Sequence, residues 1–186
     1  MRRLLAAIVA CVTMLAAAAD APQPGGLASD PWQPVRFLLG RWTGTVQGES
    51  GNGTVVRSYE LALANRFIEE RNVSTYPAQA GNRKGEVHEH RGFISYDKLR
   101  RKLVLRQFHQ EGFVNTYVFN AAESTPTALV FDAESLENLD SGFRARETYE
   151  MYSNDEFVET FEVAEPGKPL DLYSRTRFTR VGRAAG

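Results

Sequence analysis

Short apolar runs separated by turn residues recur along most of this chain, and they constrain its fold more than any other feature. In the stretch from 87 to 119, Lys102–His109 is a short apolar run without helical periodicity, and 113–119 alternates with period two. Asp97 is placed to open a type I turn through its side-chain oxygen, and Gly112 separates the last two runs. The stretch therefore predicts three consecutive antiparallel strands joined by tight hairpins.

Similar segments precede and follow this stretch at nearly regular spacing; they cover 41–48, 54–64, 66–76, 129–136, 143–152, 157–163 and 170–181. Together they make about ten strands, with a short helical turn at 34–39 and a hairpin turn at Gly51-Asn52-Gly53. This pattern is typical of a sandwich or of an up-and-down barrel. We favour an all-β, antiparallel, up-and-down β-barrel, because closure removes exposed edge strands and leaves room inside for a ligand.

Residues 1–21 have the anatomy of a secretory signal peptide. Arg2 and Arg3 precede an apolar, alanine-rich run over 4–19, and small-x-small cleavage triplets end at positions 19 and 21. The apolar run is shorter than the roughly 20 residues that a membrane span needs, so no stable span is expected. The sequence thus predicts export, to the periplasm or as a secreted protein.

The remaining boundaries follow from composition. The segment 22–34 is rich in proline and glycine and is predicted to be a linker, 35–181 is the barrel domain, and 182–186 is a frayed tail. Cys11 is the one cysteine, and cleavage in front of it, as in a lipoprotein, is the alternative to ordinary cleavage near residue 19 or 21. After ordinary cleavage the mature domain has no thiol, so its own core must stabilise it.

All three histidines of the chain lie in the central stretch. If the hairpin pairs Tyr96 with Leu103, then His90 stands opposite His109 on the neighbouring strand, with His88 two residues away on the same face. Three imidazoles within reach of one another can hold a metal ion or ligate haem iron. The alternative is a set of rim or surface histidines near the mouth of a barrel.

Seven arginines lie inside predicted strands rather than in loops: Arg57, Arg91, Arg106, Arg144, Arg146, Arg175 and Arg177. An arginine that points into the barrel, beside a tyrosine such as Tyr117, has the fork geometry that binds a carboxylate or a phosphate. Arg57 is the best inward candidate, because it shares its phase with Val55 and Tyr59. The alternative is an outer face on which the arginines pair with Glu147, Glu150, Glu159 and Glu162.

The residues predicted to bind a ligand are Arg57, His90, Gln107, His109, Tyr117, Arg146 and Arg175. We accordingly expect Arg57→Leu to weaken ligand binding more than folding. The net charge of -1 gives no electrostatic footprint for nucleic acid. The sequence has no G-x-S-x-G, no P-loop and no zinc signature, so it favours a binding protein over an enzyme and leaves the ligand open.

The segment Phe37-Leu38-Leu39-Gly40-Arg41-Trp42-Thr43-Gly44 resembles the F-L-x-G-x-W-x-G opening of calycin-type barrels, and the strand order is similar from about 34 to 181. Nitrobindin-like and fatty-acid-binding-protein-like barrels, and exported bacterial proteins of this type, are the families it resembles. The resemblance implies a central cavity for an apolar or amphipathic molecule. Nitrobindin-like barrels bind haem through a histidine on their last strands, whereas the last strand predicted here contains none.

Two residues of this opening segment have structural rather than binding roles in the prediction. Trp42 is expected to close one end of the barrel with its large ring. Gly44 shares its face with Trp42, and a glycine inside a strand marks a bend or a close approach of backbone. The sequence therefore predicts structural roles for Trp42 and Gly44.

Overall fold

A computed structural model of the chain describes residues 30–182, and it is a closed barrel of ten antiparallel strands. The strands are β1 (Gly40–Gly48), β2 (Gly51–Ala62), β3 (Phe67–Tyr76), β4 (Glu86–Asp97), β5 (Lys102–His109), β6 (Val114–Phe119), β7 (Ala128–Glu137), β8 (Arg144–Ser153), β9 (Glu156–Ala164) and β10 (Asp171–Arg180). A 3-10 helix, Gln33–Leu38, precedes β1. The predicted all-β up-and-down barrel with a short N-terminal helical turn is confirmed.

The predicted signal peptide and most of the predicted linker lie outside the described residues, as does nearly all of the predicted tail. The 3-10 helix begins at Gln33, and Pro34 stands at its start, where a missing backbone donor has little consequence. Within residues 30–182, no helix has the length and apolar character needed to cross a membrane.

Each strand pairs with the next along the chain, and β1 pairs with β10 to close the sheet. In that closing ladder Trp42 stands opposite Arg180, and Gly48 stands opposite Ser174. Because every strand has two neighbours, the wall has no free edge in the described part of the chain. Period-two alternation then divides each strand into residues that face the interior and residues that face solvent.

The interior is filled with side chains at one end only. The residues buried there are Val35, Leu38, Trp42, Tyr59, Ile68, Ile94, Leu103, Leu105, Phe131, Tyr149, Phe157 and Phe178. Val35 and Leu38 come from the 3-10 helix. The others come from the beginnings of odd-numbered strands and the ends of even-numbered strands, which meet at the same end of an up-and-down barrel. We call this the closed end.

Trp42 lies at the centre of the closed end. Its indole Nε1 donates to the Leu38 carbonyl at 2.7 Å, and its ring meets the edge of Phe157 with centroids 4.7 Å apart. Two residues on, a Cβ at Gly44 would lie 2.6 Å from the Arg177 carbonyl oxygen. The glycine therefore permits a close approach of β1 to β10 beneath the tryptophan.

The predicted register of the central hairpin is confirmed. Tyr96 stands opposite Leu103, and His90 stands opposite His109. The Asp97 carboxylate accepts the backbone N–H groups of Leu99 and Arg100, each at 3.0 Å, as the predicted turn requires.

The first hairpin differs from its prediction. The turn comprises Glu49 and Ser50, and Gly53 is part of β2, where it pairs with Val46. A Cβ at Gly53 would lie 2.6 Å from the Thr75 carbonyl oxygen. Gly53 is therefore required by the close approach of β3. From the sequence alone, a glycine required for this reason cannot be told from a glycine required by a turn.

Candidate functional site

The half of the barrel opposite the closed end contains a cavity of about 440 Å³. Its upper wall, near the loops of the open end, is mainly apolar and aromatic, with Tyr76, Phe113, Leu139, Phe143, Phe161, Val163 and Tyr173. Its floor, above the closed end, is polar and includes Arg57, Asn72, Gln107, Glu147 and Glu159. Cavities of this size, with apolar walls and a few convergent polar groups, are typical of small-molecule sites.

Arg57 organises the floor, and its side chain is only 5% exposed. Its Nε donates to Asn72 Oδ1 at 2.8 Å, and its Nη1 donates to Glu159 Oε1 at 2.7 Å and to the Tyr59 hydroxyl at 3.2 Å. The same Nε lies 3.3 Å from Glu70 Oε1. The guanidinium is thus already engaged by groups of the protein itself.

Glu70 is buried beside this guanidinium. Its carboxylate accepts the Tyr59 hydroxyl at 3.1 Å and the Gln107 amide at 3.3 Å. Burial alone would raise its pKa, but the positive charge of Arg57 and the proximity of His90 lower the pKa to about 2. Glu70 is therefore ionised at every pH at which the protein is expected to work.

Glu147 is the opposite case. Burial, and then the negative charges of Glu159 and Glu70, raise the pKa of Glu147 to about 8. The Tyr149 hydroxyl donates to its Oε2. At neutral pH Glu147 therefore carries a proton, and the floor combines a neutral acid with an ionised one.

The three histidines lie together on the cavity wall. His88 and His90 project from β4 and His109 from β5, with ring centroids 5.1–5.8 Å apart. His109 Nδ1 lies 3.4 Å from His88 Nε2. One ring nitrogen from each of the three residues lies within 4.8 Å of the others, so the three together can surround a small ion.

Neighbouring side chains hold two of the three rings. His88 Nδ1 is 2.9 Å from Glu111 Oε1, and Asn115 Nδ2 donates to His109 Nε2 at 3.2 Å. Burial, with smaller effects from His90 and His88, lowers the pKa of His109 to about 4. His90 is 8% exposed, and neither of its ring nitrogens makes a hydrogen bond, although Nε2 lies 3.3 Å from Glu70.

Most of the predicted ligand residues line this cavity: Arg57, His90, Gln107, His109 and Tyr117. Arg146 and Arg175 do not, and their predicted inward placement is corrected. Arg146 bonds Asp132 and Glu123, each at 2.7 Å, and Arg175 reaches Glu150 at 3.3 Å. Both are out of phase with the inward residues of their strands, so the pleat directs them to the outer face.

The buried acids of the floor were missed in the sequence. Glu147 and Glu159 read there as outer-face partners of arginines, because carboxylates are usually solvated. The available signal was their phase, since Glu147 alternates with Ala145 and Tyr149, which are both buried. Glu70 stands in the same relation to Ile68 on β3.

Comparisons with known proteins establish the fold. No family model matches this sequence, and no curated protein matches it. The crystal structure of Rv2717c from M. tuberculosis superposes with a TM-score of 0.62 at 15% identity, covering 82% of this chain and 98% of that one. A redesigned beta barrel matches with a TM-score of 0.41 at 10% identity, over 81% of this chain and 96% of that one. The similarity to Rv2717c shows a shared ten-stranded antiparallel β-barrel fold and nothing finer.

Proposed function

We propose that this protein is an exported calycin-type barrel that binds one small amphipathic molecule in its cavity. The observation that carries this function is the open cavity of about 440 Å³, with an aromatic upper wall above a buried polar floor. The upper wall buries the apolar part of the ligand, and the floor orients its polar end. The sequence similarity of 37–44 to calycin openings supports the family, and the leader-like residues 1–21 support export.

The floor selects the kind of polar end. The Nε and Nη1 donors of Arg57 are taken, and its charge is already balanced by Glu159 and Glu70 before any ligand carboxylate arrives. A fatty acid would bring its own carboxylate next to those two side chains. An amine or another hydrogen-bond donor instead meets acceptors, and Glu147 can release its proton to pair with a cation. The ligand is therefore a neutral or cationic amphiphile.

Haem, the cofactor that the nitrobindin resemblance implies, does not fit the residues present. In the described part of the last strand, β10, there is no histidine. The nitrogens of His88, His90 and His109 converge within 4.8 Å on one wall, whereas haem iron takes its axial ligand along a single direction on each side of the ring. The buried Glu147 and Glu159, which line the cavity, would also face the macrocycle. The sequence-based alternative of a haem barrel using His90 and His109 is therefore not proposed.

Isothermal titration with matched ligands tests the proposed function. Dodecylamine and dodecanoic acid have the same chain and opposite end groups. We expect the amine to bind about tenfold more tightly or better, which corresponds to about 1.4 kcal/mol. Equal affinity, or preference for the acid, would contradict the assigned polarity, and binding of neither would contradict the cavity as a site for simple amphiphiles.

A matched pair of variants places the ligand. Ser174 lines the cavity, and Val56 is exposed on the outer face of β2. Ser174→Trp is expected to abolish amine binding by filling the cavity, and Val56→Trp is expected to leave the dissociation constant unchanged. If both variants bind as the natural protein does, the amine binds elsewhere. Native mass spectrometry of protein purified from its host then identifies the natural ligand as a co-purifying mass.

Intact-mass analysis of the protein from its host tests export. The expected mature chain begins after residue 19 or 21. A chain that retains residues 1–21 would contradict export, and a lipid-modified Cys11 at the new N-terminus would place cleavage in front of that cysteine.

A further inference from the structure

The three histidines His88, His90 and His109 form a cluster on the cavity wall. It comprises every histidine of the 186-residue chain, gathered on two adjacent strands by the register that sets His90 opposite His109. His88 shares the face of His90 because it lies two residues away on β4. All three line the cavity.

The nitrogens of His88 and His109 have the spacing of two ligands on one tetrahedral ion. A zinc ion with Zn–N bonds of about 2.0–2.1 Å holds its nitrogens about 3.3 Å apart. His109 Nδ1 and His88 Nε2 are already 3.4 Å apart. The nitrogen of His90 completes a group that lies within 4.8 Å, so a small rotation of that ring brings it into the coordination sphere.

His90 supplies an independent indication of a missing partner. It is 8% exposed, and both of its ring nitrogens are buried without a hydrogen bond. A buried imidazole without a hydrogen-bond partner destabilises the folded state, and proteins rarely retain one without a reason. Coordination of an ion by His90 removes that penalty on one nitrogen, and Glu70, 3.3 Å from Nε2, can accept from the other after a small rotation of the ring.

The residues that contact the histidine rings from outside the cluster, Glu111 and Asn115, are also compatible with a bound metal ion. Glu111 lies 2.9 Å from His88 Nδ1, an arrangement in which a carboxylate orients a ligating imidazole and leaves Nε2 free. The Asn115 amide can turn by half a revolution so that its unpartnered Oδ1 accepts from His109 Nε2–H, which leaves Nδ1 free.

We propose that His88, His90 and His109 form a site for one Zn²⁺ ion whose fourth coordination position faces the cavity. Three imidazoles with one open position form the ligand set of zinc sites that keep a water or a substrate atom on the metal. Glu70 lies beside His90 and Glu111 lies beside His88, and the two carboxylates offset part of the charge of the ion. The open position gives the cavity a Lewis acid beside the acidic floor.

Equilibrium competition for Zn²⁺ against a chromogenic chelator tests the site. The protein is purified without a polyhistidine tag, so that the three native histidines are its only imidazoles. Bound metal is then removed with EDTA. We expect one ion per chain. His88→Ala keeps the fold because its side chain is at the edge of the cluster, and it is expected to weaken binding more than the about 10–100-fold typical of an outer-shell variant such as Glu111→Gln.

Glu89→Gln is the matched control, because Glu89 lies between His88 and His90 in sequence but faces solvent. It is expected to leave the Zn²⁺ affinity unchanged. Equal affinity of the natural protein and His88→Ala would overturn the site, as would an equal loss in Glu89→Gln. NMR of the three imidazoles gives a second readout, and all three sets of ring signals are expected to shift on addition of one equivalent of Zn²⁺.

Metal binding and amphiphile binding are distinguishable in the same protein. The EDTA-stripped protein is expected to retain its affinity for dodecylamine, and Ser174→Trp is expected to retain its affinity for Zn²⁺. Loss of Zn²⁺ binding in His88→Ala, together with retained Zn²⁺ binding in Ser174→Trp, identifies the cluster as a metal site of its own.

Discussion

Arg57 determines the chemistry of the floor at the scale of single residues. Its charge lies against Glu159 and Glu70, and the ring of Phe178 lies under it at 4.6 Å. Burial would lower its pKa, but the carboxylate of Glu159 and its other acidic neighbours raise it well above the usual range. The arginine and the acids therefore keep one another ionised away from water.

This network reverses the expectation for Arg57→Leu that the sequence suggested. Removing the guanidinium leaves Glu70 and Glu159 buried without their counter-charge, which costs about 3–5 kcal/mol in comparable cases. We expect the free energy of unfolding in urea to fall by that amount. Arg91→Leu, on the exposed face of β4, is the control and is expected to change it by less than about 1 kcal/mol. A loss for Arg57→Leu as small as that of the control would mean that the network contributes little to stability.

At the scale of elements, the ladder between β3 and β4 depends on one missing side chain. Gly92 pairs with Glu70, and a Cβ at Gly92 would lie 2.4 Å from Glu70 Oε2. The absence of that carbon gives the carboxylate room to reach Gln107 on β5. The glycine of β4 thus positions an acid of β3.

Gly92→Ala is expected to displace the Glu70 carboxylate and to lower the free energy of unfolding by about 1–3 kcal/mol, as overpacking of a filled interior does. Gly81→Ala, in the loop between β3 and β4, is the control, since a Cβ there meets nothing within 4 Å. Its effect is expected to stay within about 0.5 kcal/mol. Urea titrations of both variants measure the difference, and equal effects would refute the steric explanation.

Strands β3, β4 and β5 show what the sequence could predict and what it could not. The register of His90 and His109 followed from the length of the runs and from the turn at Asp97, which are local features. The inward direction of Glu70 did not, because a carboxylate is buried only when partners from other strands, here Arg57 on β2 and Gln107 on β5, compensate its charge. Such compensation depends on how strands at a distance in the sequence meet.

Arg146 shows the opposite error of the sequence-based prediction, a residue expected in the site that lies outside it. Its residue type suggested a ligand anchor, but its phase on β8 directs it outward to Asp132. Alternation alone distinguishes Arg57 from Arg146 once the apolar residues of each strand are taken as the inward set. The closed barrel was predictable because all ten strands contribute to it, whereas the site depends on a few side chains.

For the whole molecule, the buried acids and His109 make stability depend on pH in two directions. The folded pKa of Glu70 is about 2 and that of His109 about 4, both below their unfolded values, so the contribution of Glu70 to stability rises with pH to about 4.5 and that of His109 to about 6.5. Glu147 has a folded pKa of about 8, above its unfolded value near 4.5, so its contribution falls between those two values of pH. The natural protein is therefore expected to lose stability from neutral to alkaline pH.

Glu147→Gln removes the carboxyl group that is responsible for the loss of stability at alkaline pH, and it leaves the size of the side chain nearly unchanged. We expect the variant to show a flatter profile between pH 6.5 and 9 than the natural protein, since each unit of pKa difference is worth about 1.4 kcal/mol. Urea unfolding across this range measures both profiles. Parallel profiles would show that Glu147 titrates with nearly its unfolded pKa. Glu150→Gln, on the outer face of the same strand, is the control.

Both described ends of the chain leave the molecule on the side sealed by Trp42. The 3-10 helix precedes β1 there, and Arg180 at the end of β10 donates to the carbonyls of Phe37 and Leu39. An anchor or fusion partner joined directly at residue 30 or residue 182 therefore lies behind the closed end, and the entrance points away from it. A molecule attached through residue 30 or residue 182 to a bead or a sensor chip keeps the entrance of its cavity exposed to the surrounding solution.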